Sequence, residues 1–255
     1  MRNPSLLLFW CVGFSLIAFR TDAAPPDAPR TVAVISLIAD VVRVVGQEPT
    51  AGSRISRGSP ETTAVSFDTL ELVSLRAATR AALQADAKAT YAPLKITDAD
   101  LYGQQNNFLS DSAASLPSQL LSTLRDANMT HLLLITRHRG DFSANTGRVA
   151  LGSGKVEGVG FYLNRDTRVN RVGDGQERAG FLAPFIYARV TLIDLSTMAA
   201  TQTQFVNASE IIAASATGDS ADPWMTLSDA EKVKRLQDIV DRSIGNAVTR
   251  LLKNS

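Results

Sequence analysis

The sequence predicts an α/β fold. It reads as one domain with a mixed β-sheet flanked by helices, a long C-terminal helix and a glycine-rich β-hairpin or loop inserted at residues 140–180. Three observations lead there. Apolar, β-branched runs such as residues 31–38 alternate along the chain with stretches whose apolar residues recur every three or four positions. Leu132-Leu133-Leu134-Ile135 is apolar on both faces, as a central strand covered from both sides must be. Residues 228–253 carry one unbroken helical stripe, Val233, Leu236, Val240, Ile244, Ala247 and Leu251.

Taken in order, residues 1–23 read as a cleaved export signal. Met1-Arg2-Asn3 is a basic start, residues 5–19 are apolar, and Thr21 and Ala23 supply the small residues a signal peptidase prefers. At about 1.5 Å per residue the apolar part is about 22 Å long, short of a bilayer core of about 30 Å. Cleavage at Ala23/Ala24 places the protein in the periplasm or outside the cell. Pro25, Pro26 and Pro29 make residues 24–30 a stiff leader, and the domain is expected over residues 31–255.

Residues 31–38 and 41–45 are β-branched runs. Ala39-Asp40 between them allows a hairpin or one long strand with a kink. Gly46, Pro49, Gly52, Gly58 and Pro60 mark residues 46–62 as a loop. Residues 66–86 form a helix with Leu70, Val73, Ala77 and Ala81 inward and Arg76, Arg80 and Gln84 on the solvated side. A short strand follows at 91–97, one helical turn near 100–102, and a helix over 115–127 capped by Ser115 with Pro117 in its first turn.

Residues 130–136 are the central strand. Within 140–180, residues 155–163 read as a strand and 164–180 as a mobile loop. Residues 185–194 alternate: Ile186, Ala188, Val190 and Leu192 point one way, Phe185, Tyr187, Arg189, Thr191 and Ile193 the other. The chain turns at 195–198 and returns over 199–207. Ser228 and Glu231 form a capping box for the last helix.

Composition excludes several classes of function. The sole cysteine, Cys11, lies in the export signal, so the mature chain has no disulfide, thiolate metal ligand or cysteine nucleophile. Phe9 and Trp10 before Cys11 do not fit a lipoprotein signal. Losing Arg2, Arg20 and Asp22 takes the 26 basic and 25 acidic residues to 24 of each. A net charge of zero gives no footprint for nucleic acid. No later segment can span a membrane as a helix.

Motifs that suggest chemistry fail on their spacing. Gly154-Lys155 lacks the upstream glycine and the Ser or Thr of a phosphate-binding loop. No G-x-S-x-G elbow occurs. His131 and His138 are seven apart, on opposite faces of one strand, and share no metal. Arg137-His138-Arg139-Gly140 departs from the histidine-phosphatase signature, and no later histidine exists. No cofactor is expected.

The segment that resists a purely structural reading is 140–180. Gly158, Gly160, Tyr162, Arg165, Asp166, Arg168, Arg171 and Asp174 are the residues expected to touch a partner, since long irregular segments inside a domain often carry function.

Three stretches, TVAVIS at 31–36, DANMTHLLLI at 126–135 and VTLIDLST at 190–197, resemble bacterial envelope domains. These are the N-terminal domain of the Tol-system propeller protein (TolB) and the curli-secretion lipoprotein. The resemblance implies a non-catalytic module that organises partners in the cell envelope; the expected partner is another envelope protein, met through residues 140–180. The chain departs from that family in lacking a lipidated cysteine. In the curli protein inserted hairpins build a membrane pore; here Arg148, Lys155 and Glu157 oppose a lipid-facing band. The expected function is an exported binding or assembly module; the alternative is an exported hydrolase with a carboxylate-based site.

Overall fold

The computed structural model describes residues 29–39, 41–46, 67–110, 113–145, 150–170, 177–213 and 222–253. The export signal, most of the proline-rich leader and most of the expected 46–62 loop lie outside them. In chain order the elements are β1 (Thr31–Leu37), β2 (Arg43–Gly46), α1 (Phe67–Ala85), β3 (Thr90–Leu94) and α2 (Ala99–Gln104), with a 3-10 turn at Gln105–Asn107. Next come α3 (Ser118–Asp126), β4 (His131–Arg137), β5 (Arg139–Asp141), β6 (Ala144–Asn145), β7 (Ala150–Leu151), β8 (Lys155–Asn170) and β9 (Glu177–Asp194). β10 (Ala199–Ser209), β11 (Ile212–Ala213), a 3-10 turn at Pro223–Thr226 and α4 (Asp229–Lys253) complete the chain.

Among the described residues nine strands form one mixed sheet, organised around β9. Along one side of β9 lie β4, against residues 188–194, and then β8, against residues 177–187. β4 and β8 therefore follow one another along the same line. Beside them β1 runs parallel to β4 and β2 runs parallel to β8. β1 and β2 thus run in one direction along adjoining strands, as the kinked-strand alternative requires, and the hairpin between them does not form. β10 and β11 pair with the other side of β9, and β3 closes the far edge beside β1.

The alternation along β9 sorts its side chains between two faces. Ile186, Ala188, Val190 and Leu192 pack with Val34, Leu133 and Ile135 beneath α1 and α4. The opposite face is covered in two parts. Phe108, Leu120 and Leu124 lie over Ile35, Leu134 and Ile193 at one end. Phe142 and Ala144, from the excursion between β4 and β8, and Val156 at the start of β8 pack with Phe181, Phe185 and Tyr187 at the other.

α4 forms as its sequence demands. Glu231 Oε2 accepts from the Ser228 N–H at 2.8 Å, and Ser228 Oγ accepts from the Glu231 N–H at 3.4 Å. The cap is worth about 1 kcal/mol. Full burial of one aliphatic side chain is worth about 1.5–3 kcal/mol. With Leu236, Val240, Ile244 and Leu251 all buried, the stripe dominates and the cap sets where the helix begins.

Two expectations are corrected. Residues 164–180 are not simply a loop: Arg168, Val169 and Asn170 pair with Ala179, Arg178 and Glu177, past a register shift after Asn164. A backbone ladder needs no apolar alternation, so polarity alone hid the pairing. α3 starts at Ser118 with Pro117 as its cap residue (φ −54°, ψ 138°), not at Ser115. Pro117 disfavours helical backbone at Leu116, and the Ser115 N–H is already bonded to the Phe108 carbonyl at 2.9 Å.

Candidate functional site

Of the residues expected to touch a partner, three lie inside the fold. Gly160 is buried where β2 crosses close to β8, and a Cβ there would lie 2.0 Å from the Arg43 carbonyl oxygen. Gly158 (φ 71°) sits where β4 gives way to β8, against Arg137 and the Ile38 carbonyl. Tyr162 is fully buried, stacked on Phe142 at 3.8 Å, and its hydroxyl donates to the Ser153 carbonyl at 2.8 Å. These three make their contacts inside the fold, which corrects their expected place on a binding surface. Arg165 is exposed and pairs with Asp222 at 3.1 Å. Asp166 and Arg168 lie on β8. Arg171 and Asp174 lie outside the described residues.

Buried polar contacts brace the end of β4 and the kink that follows β1. The Arg137 N–H donates to Gln105 Oε1 at 2.7 Å, and its guanidinium donates to the Tyr102 carbonyl at 2.8 Å. Arg137 Nε also lies 3.6 Å from Glu157. Across the kink the Ala39 N–H donates to buried Glu71 at 2.8 Å. A kinked strand frees backbone groups from its ladder, and those groups must find partners when buried. Glu71 supplies one for Ala39, and Gln105 does the same for Arg137 at the end of β4.

The titrating groups do not resemble a catalytic pair. Hydrogen bonds from the Ser196 hydroxyl, and then from the Ser196 and Thr197 N–H groups, outweigh burial and hold Asp194 below the ordinary carboxylate range. For Asp222, burial pushes upward, but Arg165 and the Trp224 N–H together leave it depressed. Ser228 lowers Glu231. A general acid needs the opposite shift. His131, lowered by burial, stands opposite Asp194, while His138 packs against Phe205. Among the described residues no three His, Cys, Asp or Glu side chains gather around a metal-sized space.

One groove open to a ligand was not anticipated. A groove of about 700 Å³ runs between α1 and β3, floored by Leu72, Leu75, Thr79, Leu83 and Pro93. Arg76, Arg80 and Lys95 stand at its rim. Arg80 is also held by both carboxylate oxygens of Asp241 at 2.9 Å. Leu72 and Leu83 are 39% and 49% exposed. Arg76, Arg80 and Gln84 marked this side of the helix as solvated, yet Leu72, Leu75 and Leu83 make a second apolar ridge among them. That ridge was the available signal. No helix among the described residues is long and apolar enough to cross a membrane.

No family model and no curated protein matches the chain. Among solved structures it is similar to the PelC dodecamer from Paraburkholderia phytofirmans, with 10% identity over 89% of this chain and 91% of that one and a TM-score of 0.30. It is similar to a putative neuraminyllactose-binding hemagglutinin homolog from Helicobacter pylori, with 6% identity over 89% and 84% and a TM-score of 0.37. A Xanthomonas campestris protein gives 12% identity over 90% of each chain and a TM-score of 0.31.

Proposed function

We propose that this chain is an exported domain of the bacterial envelope that works by binding another envelope protein, and that the groove between α1 and β3 receives an acidic amphipathic helix of that partner. The apolar ridge on α1 carries the reading. From Leu72 to Leu83 it extends about 16 Å, three helical turns at about 1.5 Å per residue, and a packed helix needs a ridge of that kind to lie along. Arg76, Arg80 and Lys95 beside it favour an acidic flank and fix its orientation. Export rests on residues 1–23, and the likeness to Tol-type and curli-secretion domains supports a module that organises partners without catalysis. The downward shifts of Asp194, Asp222 and Glu231 disfavour the alternative of a carboxylate-based hydrolase.

The test is photo-crosslinking in a Gram-negative host, with the reactive residue at Gln84 in the groove or at Ser122 on α3. A discrete adduct with another protein is expected from Gln84 alone, on a chain whose N terminus is Ala24. The double variant L72D/L83D, folded by circular dichroism, should lose it. Equal adducts from both positions, a dimer of this chain, or an adduct that survives the double variant would refute the groove; a mature chain starting at Met1 would refute export.

A further inference from the structure

The sheet face opposite α1 and α4 is not uniformly apolar. Between Ile193 under the α3 cover and Tyr187 under the excursion, β9 presents Thr191 and Arg189. Arg189 stands in a row of cross-strand neighbours: Leu37 beside Thr136, Thr136 beside Arg189, and Arg189 beside Phe205. Such neighbours lie about 5 Å apart and can share a ligand. Arg189 is half-buried, and no hydrogen bond or ion pair among the described residues satisfies its guanidinium.

Thr136, next in the row, is fully buried, and its hydroxyl has no hydrogen-bond partner among the described residues. On the other side the His138 ring lies 4.6 Å from the Phe205 ring, which is half exposed. Glu157, whose charge reaches His138, is turned to Arg137. Burial lowers the basicity of Arg189 with no carboxylate working against it. A desolvated cation without a counter-charge is costly. Here two neighbouring donors have no acceptor among the described residues.

We propose that this row is a binding site for an oxyanion, a carboxylate or phosphate group, gripped by the Arg189 fork and by the Thr136 hydroxyl, with His138 and Phe205 walling the exit. Planar oxyanions suit an arginine fork because two parallel N–H groups reach two oxygens. An oxyanion drawn beneath the guanidinium supplies an acceptor that no described residue gives to Arg189 or Thr136. The half-exposed Phe205 ring gives an apolar surface to the body that carries the anion. The site lies on the opposite face of the sheet from the α1 groove and stands independently of it.

Titration of the purified protein with sodium phosphate and with sodium benzoate, at constant ionic strength made up with chloride, tests the proposal by amide chemical shifts. Saturable shifts centred on Thr136, Arg189 and Phe205 are expected with at least one of the two anions. Which anion saturates distinguishes a phosphate ligand from a carboxylate one. R189M should weaken binding at least about tenfold, and R189K, which keeps the charge and loses the fork, should weaken it nearly as much. Shifts spread evenly over the surface, no saturation with either anion, or unchanged affinity in folded R189M would overturn it.

Discussion

Gly160→Ala should unfasten β2 from the sheet. The added Cβ would stand 2.0 Å from the Arg43 oxygen, 2.9 Å from its carbonyl carbon and 3.0 Å from its nitrogen. Carbon–oxygen contacts between strands settle near about 3.3 Å, so the strands must part by more than about 1 Å. The obstacle is backbone, and no side-chain rotamer can relieve it. β2 has only four residues, Arg43–Gly46, and yields before the longer β8. Strain of this kind costs about 1–3 kcal/mol. If β2 lifts, Val42, now 6% exposed, gives up part of a burial worth about 1.5–3 kcal/mol. The expected loss is about 2–4 kcal/mol, which at about 2–4 °C per kcal/mol for a chain of this size lowers Tm by about 5–15 °C. Gly46→Ala is the matched control, because nothing lies within 4 Å of its Cβ position; its stability should change by no more than about 0.5 kcal/mol. Thermal melts of both variants decide the matter. Equal Tm values would show that the close approach of β2 to β8 does not hold the strand in place.

Two further outcomes follow from local chemistry. Ser228→Ala removes the reciprocal cap of α4 and should cost about 1 kcal/mol, read as a lower urea midpoint with an unchanged m-value; no change would mean that packing alone fixes the helix start. Asp194 is depressed by Ser196 and Thr197, so its ionised form stabilises the fold fully above the unfolded carboxylate pKa of about 3.9 and that contribution is lost as pH falls through the lower folded value. The urea-midpoint gap between wild type and Asp194→Asn should therefore stay constant from neutral pH down to about pH 4 and narrow below it. A gap that persists to pH 2 would place the stabilisation elsewhere.

What could be read from the residues follows how far each signal reaches along the chain. β9 announced both of its faces, since Ile186 to Leu192 and Phe185 to Ile193 alternate within one strand and each set found its own cluster. Ser228 and Glu231 announced the start of α4 because a capping box spans a single turn. Ala39-Asp40 announced a hairpin or a kink without deciding between them, because the deciding partners lie along β4 and β8. The glycines of β8 were the harder case. A glycine looks the same in sequence whether it serves a turn, a binding surface or a close backbone approach. What separates Gly160 from the others is the Arg43 carbonyl, supplied from a distant part of the chain. Arg189 is legible in the same limited way. Its strand position assigns it a face, but only the pairing of β4, β9 and β10 puts Thr136 and Phe205 beside it. The tertiary pairing thus decides what a residue type alone leaves open: Gly160 is held to the fold by what touches it, and Arg189 stands out because no described residue offers it an acceptor.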